Sequence, residues 1–431
     1  MWLRLTILML TCGLAAACAS VPDATTPPVE AEPLNFARGE APEDKLLDLW
    51  IERFDHEPVD SDEMEETGTN ADIRKSEARF IPVHLKNTLQ ASGHWGAVRV
   101  VPQDSMPGGE VIVSGTIVRS NGREMKLEVT AKDALGQVWL EETYSSDVVP
   151  ANYDRLLAGE WDAFQPLYNE IANDLIEALE EQPVAETRRI RQAAELKFAS
   201  FVAPEPFSEY YEADDKGRVE IQRLPAENDP LYQRIESLKA RNDMLADVLN
   251  TRYNQFYDRM WESYTGWRRN SLNEILARER IEQEAAAKKF GGIASILGAI
   301  ALGAAGGDVG NRTGALQTVM IAGGALAISS GISQGREAEL HEAAISELGN
   351  SFSSEIEPMV VEMDGETVEL TGSAEAQFER WRELLRARYE AERGLDDSAP
   401  APAETGAGAG ASSDANAVAE TPVSDSPRLF E

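Results

Sequence analysis

Hydrophobic and polar positions alternate over the middle of the first half of the chain, which is the period of a β-strand with one buried face. A short apolar run and three alternating runs follow one another: Ala97–Val101, Val111–Val118, Met125–Lys132 and Val138–Tyr144. Asn121-Gly122 between the second and third runs predicts a two-residue type I′ hairpin. A turn at Asp133 to Gly136 leads into the last run, so the pattern predicts a small antiparallel sheet.

Helical periodicity flanks these runs. Residues spaced three or four apart predict helices at Phe80–Leu89 and from Trp161 to Leu179, and the second should cover one face of the sheet. The apolar residues at the start of this region also fit one face of a helix: Leu46, Leu47, Trp50, Ile51 and Phe54. Residues 41–185 are therefore predicted to form an α+β domain.

A connector at 186–229, with a helical piece at Thr187–Phe201, leads to a long amphipathic helix at 230–289 that begins at Pro230. Its leucine and isoleucine positions predict packing against another helix, in this chain or in a second copy. The helix carries a band of aromatic residues, of which four are candidates for contact with a partner: Tyr253, Trp261, Tyr264 and Trp267. Such a band suits a membrane interface or sugar rings, or the core of a helical bundle.

The most distinctive segment is glycine-rich and spans residues 290–335. Its two uncharged arms, Phe290–Gly307 and Thr313–Gln334, would be helices of about 27 and 33 Å, close to the ~30 Å thickness of a hydrocarbon core. Small residues four apart let helices approach closely, and the candidates for membrane contact or self-association are Gly303, Gly307, Gly310, Gly314, Gly323, Gly331 and Gly335. The segment resembles the glycine-zipper hairpins of bacterial envelope proteins. A hairpin buried in protein and a flexible linker are the alternatives.

Residues 336–393 predict a helix followed by a ββα cap, with a hairpin around Asp364-Gly365 and a helix from Ala374 to Arg393. Residues 394–431 are rich in Ala, Gly, Ser and Pro, which predicts a disordered tail.

The N-terminus predicts export. Residues 1–17 combine Arg4, a short apolar stretch and small residues, as a signal peptide does. Leu14-Ala15-Ala16-Ala17-Cys18 resembles a bacterial lipobox, which implies that Cys18 is acylated and becomes the mature N-terminus, although Ala15 stands where the family prefers Leu, Val or Ile. The absence of Asp at residue 19 implies, by the same resemblance to proteobacterial lipoproteins, sorting to the periplasmic face of the outer membrane. Residues 18–40, rich in proline, would be a semi-extended tether.

Within the α+β region, the phrase Val113-Ser114-Gly115-Thr116-Ile117 and the strand that ends at Asp133 before Gly136 weakly resemble the periplasmic domains of penicillin-binding-protein activator and curli-secretion lipoproteins. This third of the chain has no motif that would allow the binding residues of those families to be assigned to positions in this sequence. A generic α+β adaptor domain is the alternative.

The net charge and the residue types limit which ligands and which kinds of active site the chain can have. The 431 residues contain 40 Lys and Arg against 75 Asp and Glu, so a net charge of −35 opposes binding to nucleic acid. The two cysteines and four histidines leave little for a metal or thiol site; His84 and His94 are expected to pack or cap. Walker and Rossmann loops are absent from the sequence. No cofactor and no enzymatic activity are expected.

The sequence thus predicts a non-enzymatic outer-membrane lipoprotein, held by acyl chains on Cys18, that scaffolds or activates an envelope assembly whose protein partner is unknown. Self-association as a homo-oligomer would run through the glycine-rich hairpin. The alternatives are a subunit of an oligomeric secretion pore and, further off, a cell-wall hydrolase.

Overall fold

The computed structural model describes residues 26–39, 42–59, 64, 69–103, 107–157, 161–226, 228–303, 340–354, 356, 358–363 and 366–392. The chain has an α+β fold, as predicted. The strands are β1 (Leu49–Glu52), β2 (Asp55–His56), β3 (Val98–Val101), β4 (Val111–Ser120), β5 (Glu124–Asp133), β6 (Val138–Asp147), β7 (Tyr211–Ala213), β8 (Val219–Ile221), β9 (Met359–Met363) and β10 (Glu366–Leu370). The helices are α1 (Ala71–Ser92), α2 (Gln165–Glu180), α3 (Val184–Val202), α4 (Pro230–Gly303) and α5 (Ala374–Glu392).

The main sheet is mixed rather than wholly antiparallel. Its order is β3-β1-β4-β5-β6, with β2 beside β4. The β4-β5-β6 meander is antiparallel, as predicted, whereas β1 pairs in parallel with both β3 and β4. The helix α1 provides the crossover from β1 and β2 to β3, which parallel strands require.

The helix expected across residues 46–54 is wrong, because this segment contains β1. Leu49, Trp50 and Ile51 are all at most 1% exposed, so the strand is covered on both faces. A strand that is buried on both faces has a continuous apolar sequence instead of an alternating one. Because the apolar residues of this short segment are also spaced as on one face of a helix, the pattern predicts a helix.

The first hairpin is present but its type I′ turn is wrong. Asn121, Gly122 and Arg123 form a three-residue loop, whose ends are held by the Asn121 side chain accepting from the backbone N–H groups of Arg123 and Glu124. Gly122 is not among the glycines with positive φ, so the loop does not need its backbone freedom. A Cβ on Gly122 would instead lie 1.9 Å from the backbone oxygen of Arg268 in α4.

Helices α1 and α2 pack on one face of the sheet. Ile81 and Leu85 of α1 and Ile171 of α2 join the strand residues in one core cluster, all at 0% exposure. The opposite face of the meander carries polar side chains, such as the exposed Glu128 and Glu141. This is the usual pattern of an antiparallel sheet with one solvated face.

The long helix begins at Pro230 as predicted but continues without a break to Gly303, about 110 Å in length. It therefore includes the first residues of the glycine-rich segment. Its partners lie in this chain: Asn250 accepts from the backbone N–H of Val100, and Asp247 binds Arg99 at 2.6 Å. These contacts cover the edge strand β3, which would otherwise expose unpaired backbone groups.

The C-terminal elements match the predicted helix and ββα cap. Residues 340–354 are helical and β9 pairs with β10 in an antiparallel hairpin before α5. Phe378, Trp381 and Leu385 of α5 pack in one cluster with Tyr253 and Phe256 of α4. The predicted helical piece of the connector is α3, and the connector also contains the small β7–β8 hairpin, which the sequence pattern did not indicate.

Candidate functional site

The aromatic band of α4 lies inside the protein. Tyr253 and Tyr264 are fully buried and Trp267 is 3% exposed, while Trp261 is half-buried. The Tyr264 ring lies 4.5 Å from that of Phe80 in α1. Core packing agrees with the burial of Tyr253, Tyr264 and Trp267, whereas Trp261 is half-buried, so contact of its exposed part with a partner stays a prediction.

A buried ion pair fixes α4 beside the segment that precedes α2. The guanidinium of Arg268 donates to both carboxylate oxygens of Asp162, with 3.0 Å between Nη1 and Oδ1, and both side chains are 0% exposed. Arg268 also lies over the rings of Tyr264 and Phe164, at 4.3 and 5.4 Å from their centroids. Burial alone would raise the pKa of Asp162, but the adjacent guanidinium holds that pKa below its usual value.

A second buried cluster joins α1, the end of β4 and α4. Glu77 lies 3.3 Å from Arg74 and accepts hydrogen bonds from the hydroxyls of Ser120 and Tyr264, at 2.7 and 2.8 Å. Burial raises the pKa of Glu77, against the opposing effect of Arg74. One carboxylate thus ties three elements together.

His84 makes further buried polar contacts between α1 and α4. Its Nε2 is 2.9 Å from Oε1 of Gln165, an oxygen that already accepts from the backbone N–H of Asp162, so Nε2 must carry the proton. Its Nδ1 therefore accepts from the hydroxyl of Tyr257 at 2.8 Å. Burial lowers the pKa of His84, which keeps the ring neutral. The expectation that His84 packs within a helix is confirmed.

We define the polar seam as Arg74, Glu77, His84, Ser120, Asp162, Gln165, Tyr257, Tyr264 and Arg268. The seam holds the long helix against α1 and the segment that precedes α2. It joins α4 to the α+β region. Its ionisable groups are paired and closed off from solvent, so no substrate could reach His84 or Glu77.

An open polar groove of about 400 Å³ lies on the sheet, where β1 and β2 meet β4 and β5. Its lining includes three carboxylates, from Glu52, Asp55 and Glu128, and the hydroxyls of Ser114, Thr116 and Thr130. Across the part of the chain that the structure describes, no group of three His, Cys, Asp or Glu side chains could hold a metal ion. His94 does not line the groove, and its Nε2 approaches Oε1 of Glu180 at 3.7 Å.

Beyond the seam, the side chains of α4 that the structure describes become exposed by residue 281. Among the residues of α4 up to 283, whose side chains the structure describes, Leu276 is the last buried one, and Glu279 pairs with Arg123. Ile281 is 68% exposed. The helix then extends as far as Gly303, the only predicted self-association glycine that falls within the described residues.

The remaining glycine candidates, from Gly307 to Gly335, lie outside the described residues, as does the lipidation candidate Cys18. So do the signal peptide at 1–17 and the tail at 394–431. Among the helices that the structure does describe, none has an apolar stretch long enough to cross a membrane.

The buried pair of Arg268 with Asp162 is not among the contacts that the sequence pattern predicts. The signal available was its position: Arg268 follows Tyr264 by four residues and precedes Leu272 by four, so it lies on the buried face of α4. An arginine on such a face requires an acidic partner. Nothing in the pattern around Asp162 marks it as that partner.

Comparisons with known proteins do not assign the chain to a family. No family model, no curated protein and no solved structure matches the chain.

Proposed function

We propose that the protein is an outer-membrane lipoprotein, attached at the periplasmic face through acyl chains on Cys18, that acts as a non-enzymatic scaffold or activator of an envelope assembly. The observation that carries the proposal is the polar seam, which fixes a helix of 74 residues to a folded body and lets it continue into the glycine-rich segment. A scaffold needs such a fixed presentation of the segment that makes its contacts.

The glycine-rich segment supplies the contact function of this scaffold. Small residues at a spacing of four, including Gly303 and Gly307, suit close packing of helices from a second copy, an envelope partner or a membrane. The acyl anchor would keep many copies on one surface, which raises their effective concentration for such contacts.

Cell fractionation with protease protection tests the anchor. Cys18→Ala is compared with wild type and with the matched control Cys12→Ala, which removes the other cysteine. We expect Cys18→Ala to become soluble in the periplasm, while the Cys12→Ala protein stays in the outer membrane.

Deletion of residues 290–335 tests the role of the hairpin. If Cys18→Ala stays in the membrane and only the added deletion releases it, then residues 290–335 insert into lipid, and the oligomeric pore replaces the scaffold as the function. Release of soluble fragments from purified peptidoglycan by the wild-type protein would instead support the hydrolase alternative.

A further inference from the structure

The N-terminal segment before β1 does not hang free but lies along the folded body. At Val29, the backbone N–H donates to Oδ1 of Asn152 and the carbonyl accepts from Nδ2 of the same side chain, both at 3.1 Å. Asn152 is itself held in the short helix Pro150–Arg155, where it also accepts from the backbone N–H of Val149. One buried amide thus fixes the segment at that point.

Two asparagines of α2 continue this attachment. Asn169 donates to the carbonyl of Glu32 at 2.7 Å. Asn173 donates to the carbonyl of Pro33 at 3.1 Å and accepts from the backbone N–H of Asn35 at 2.9 Å. We call Asn152, Asn169 and Asn173 the asparagine clamp. All three bind backbone groups of the proline-containing segment before β1, which belongs to no sheet.

The clamp shortens the chain between Cys18 and the folded body. Eleven residues separate Cys18 from Val29, a reach of at most about 36–40 Å. Without the clamp the first backbone bond to the body would be that of Ala37 to the carbonyl of Ser92, nineteen residues from Cys18, a reach of about 63–68 Å. That bond lies at the opposite end of α2. The clamp therefore determines which end of the body stays near the anchor.

The same end of the body is where α4 leaves it. Arg269 of α4 donates to the carbonyl of Tyr153, the residue after Asn152. Ten residues later, Glu279 pairs with Arg123 in the β4–β5 loop. The helix then continues for 24 residues, about 36 Å, which matches the reach of the clamped tether.

The chain also returns to this end after the glycine-rich segment. A Cβ on Gly266 would lie 2.6 Å from the ring of His341, and Glu342 accepts a hydrogen bond from Asn70 at the start of α1. The tether, the departing helix and the returning helix therefore converge on one end of the protein.

The surface at this end is amphipathic. Val29, Leu157 and Ile281 are 37%, 53% and 68% exposed, and the exposed charged residues near them in sequence are of both signs: Glu30, Asp154, Arg155, Arg280 and Glu282. Exposed apolar side chains suit the boundary between lipid headgroups and acyl chains, and the long side chains of Arg155 and Arg280 can reach the headgroups from there.

We propose that this end of the body, marked by Val29, Leu157 and Ile281, lies against the lipid bilayer that holds the Cys18 anchor. The inference rests on the proposed function, since it needs acylated Cys18. It adds that the asparagine clamp orients the body, so that the glycine-rich segment leaves and returns on the membrane side.

Spin labels test this orientation in the acylated full-length protein. Leu157→Cys and Ile281→Cys each place one nitroxide at this end, because the thiol of Cys18 is blocked by its acyl chain. Met244→Cys is the matched control: its side chain is 61% exposed on the same helix, 24 residues before Arg268, about 36 Å away. Oxygen and nickel accessibilities are measured in vesicles of phosphatidylethanolamine and phosphatidylglycerol.

We expect the oxygen-to-nickel accessibility ratio at residues 157 and 281 to be several-fold higher than at residue 244. Asn173→Ala, whose side chain bonds only the tether, should reduce this difference, while Asn350→Ala, an exposed asparagine in the helix 340–354, should leave it unchanged. Equal ratios at the three labels on acylated protein would overturn the orientation alone. An unmodified Cys18, read from the mass of the N-terminal peptide, would overturn the proposed function together with it.

Discussion

Removing one partner of the Arg268–Asp162 pair should destabilise the protein more than any single surface change. Arg268→Met leaves the Asp162 carboxylate at 0% exposure without its cation, and Asp162→Asn leaves the guanidinium without its anion. Breaking a buried pair in this way costs about 3–5 kcal/mol. We expect each variant to lose free energy of unfolding in that range.

The double variant Arg268→Met with Asp162→Leu separates the pair from its packing. It removes both charges and restores an apolar contact, so we expect a loss well below the sum of the two single losses, because replacing a buried pair by apolar groups is often neutral. Urea unfolding of the soluble Cys18→Ala protein, followed by tryptophan fluorescence, measures all four species.

The pH dependence of the Arg268→Met variant gives an independent check. In the wild type the pKa of Asp162 is depressed, so its contribution to stability is present above the usual pKa of 3.8 and is lost as pH falls through the folded value. Without Arg268, burial dominates and raises that pKa, so the deficit of the variant should shrink as pH falls. Single losses below about 1 kcal/mol, the value typical of exposed pairs, would refute the buried pair.

Three further outcomes follow from the same contacts. Burial lowers the pKa of His84, so below pH 6.5 the unfolded chain takes up a proton that the folded ring resists. The free energy of unfolding should therefore fall as pH drops, by at most about 1.4 kcal/mol per pH unit. In urea titrations, His84→Gln should flatten that slope. Gly122→Ala, which places a methyl 1.9 Å from the Arg268 carbonyl oxygen, should lower the thermal midpoint, whereas Gly39→Ala, with open space around it, should not. Gly266→Ala should loosen the docking of residues 340–354, detected as faster hydrogen exchange there, with the same exchange in β5 as the wild type.

Elements with a strict period were predictable because local patterning and tertiary packing agree. The start of α4 at Pro230 and the meander from Val111 belong to this class. The strand β1 does not, since its side chains are covered on both faces by neighbours distant in sequence. Only the pairing of β1 with β3 and β4 distinguishes it from a helix of the same composition.

The hairpin loop shows how a correct prediction can rest on a wrong cause. The Asn121-Gly122 pair predicts a turn with positive φ, whereas Gly122 is required because α4 passes against the loop. A close approach between two elements distant in sequence does not appear in the hydrophobic pattern of either one. Sequence reasoning therefore explains such a glycine by the local turn.

The buried contacts of the seam and the clamp lay beyond sequence reasoning for a similar reason. Asp162 and Arg268 are 106 residues apart, and Asn152 and Val29 are 123 apart. Their residue types are ordinary for a charged, asparagine-containing chain. What makes them functional is the fold that brings them together and excludes water.

The central claim, a lipid-anchored scaffold at the outer membrane, is tested most directly by the mass of the mature N-terminal peptide from purified outer membranes. The account predicts a peptide that begins at Cys18 and carries diacylglyceryl and acyl groups. A peptide that begins at an unmodified Cys18, or one that retains residues 1–17, would contradict it.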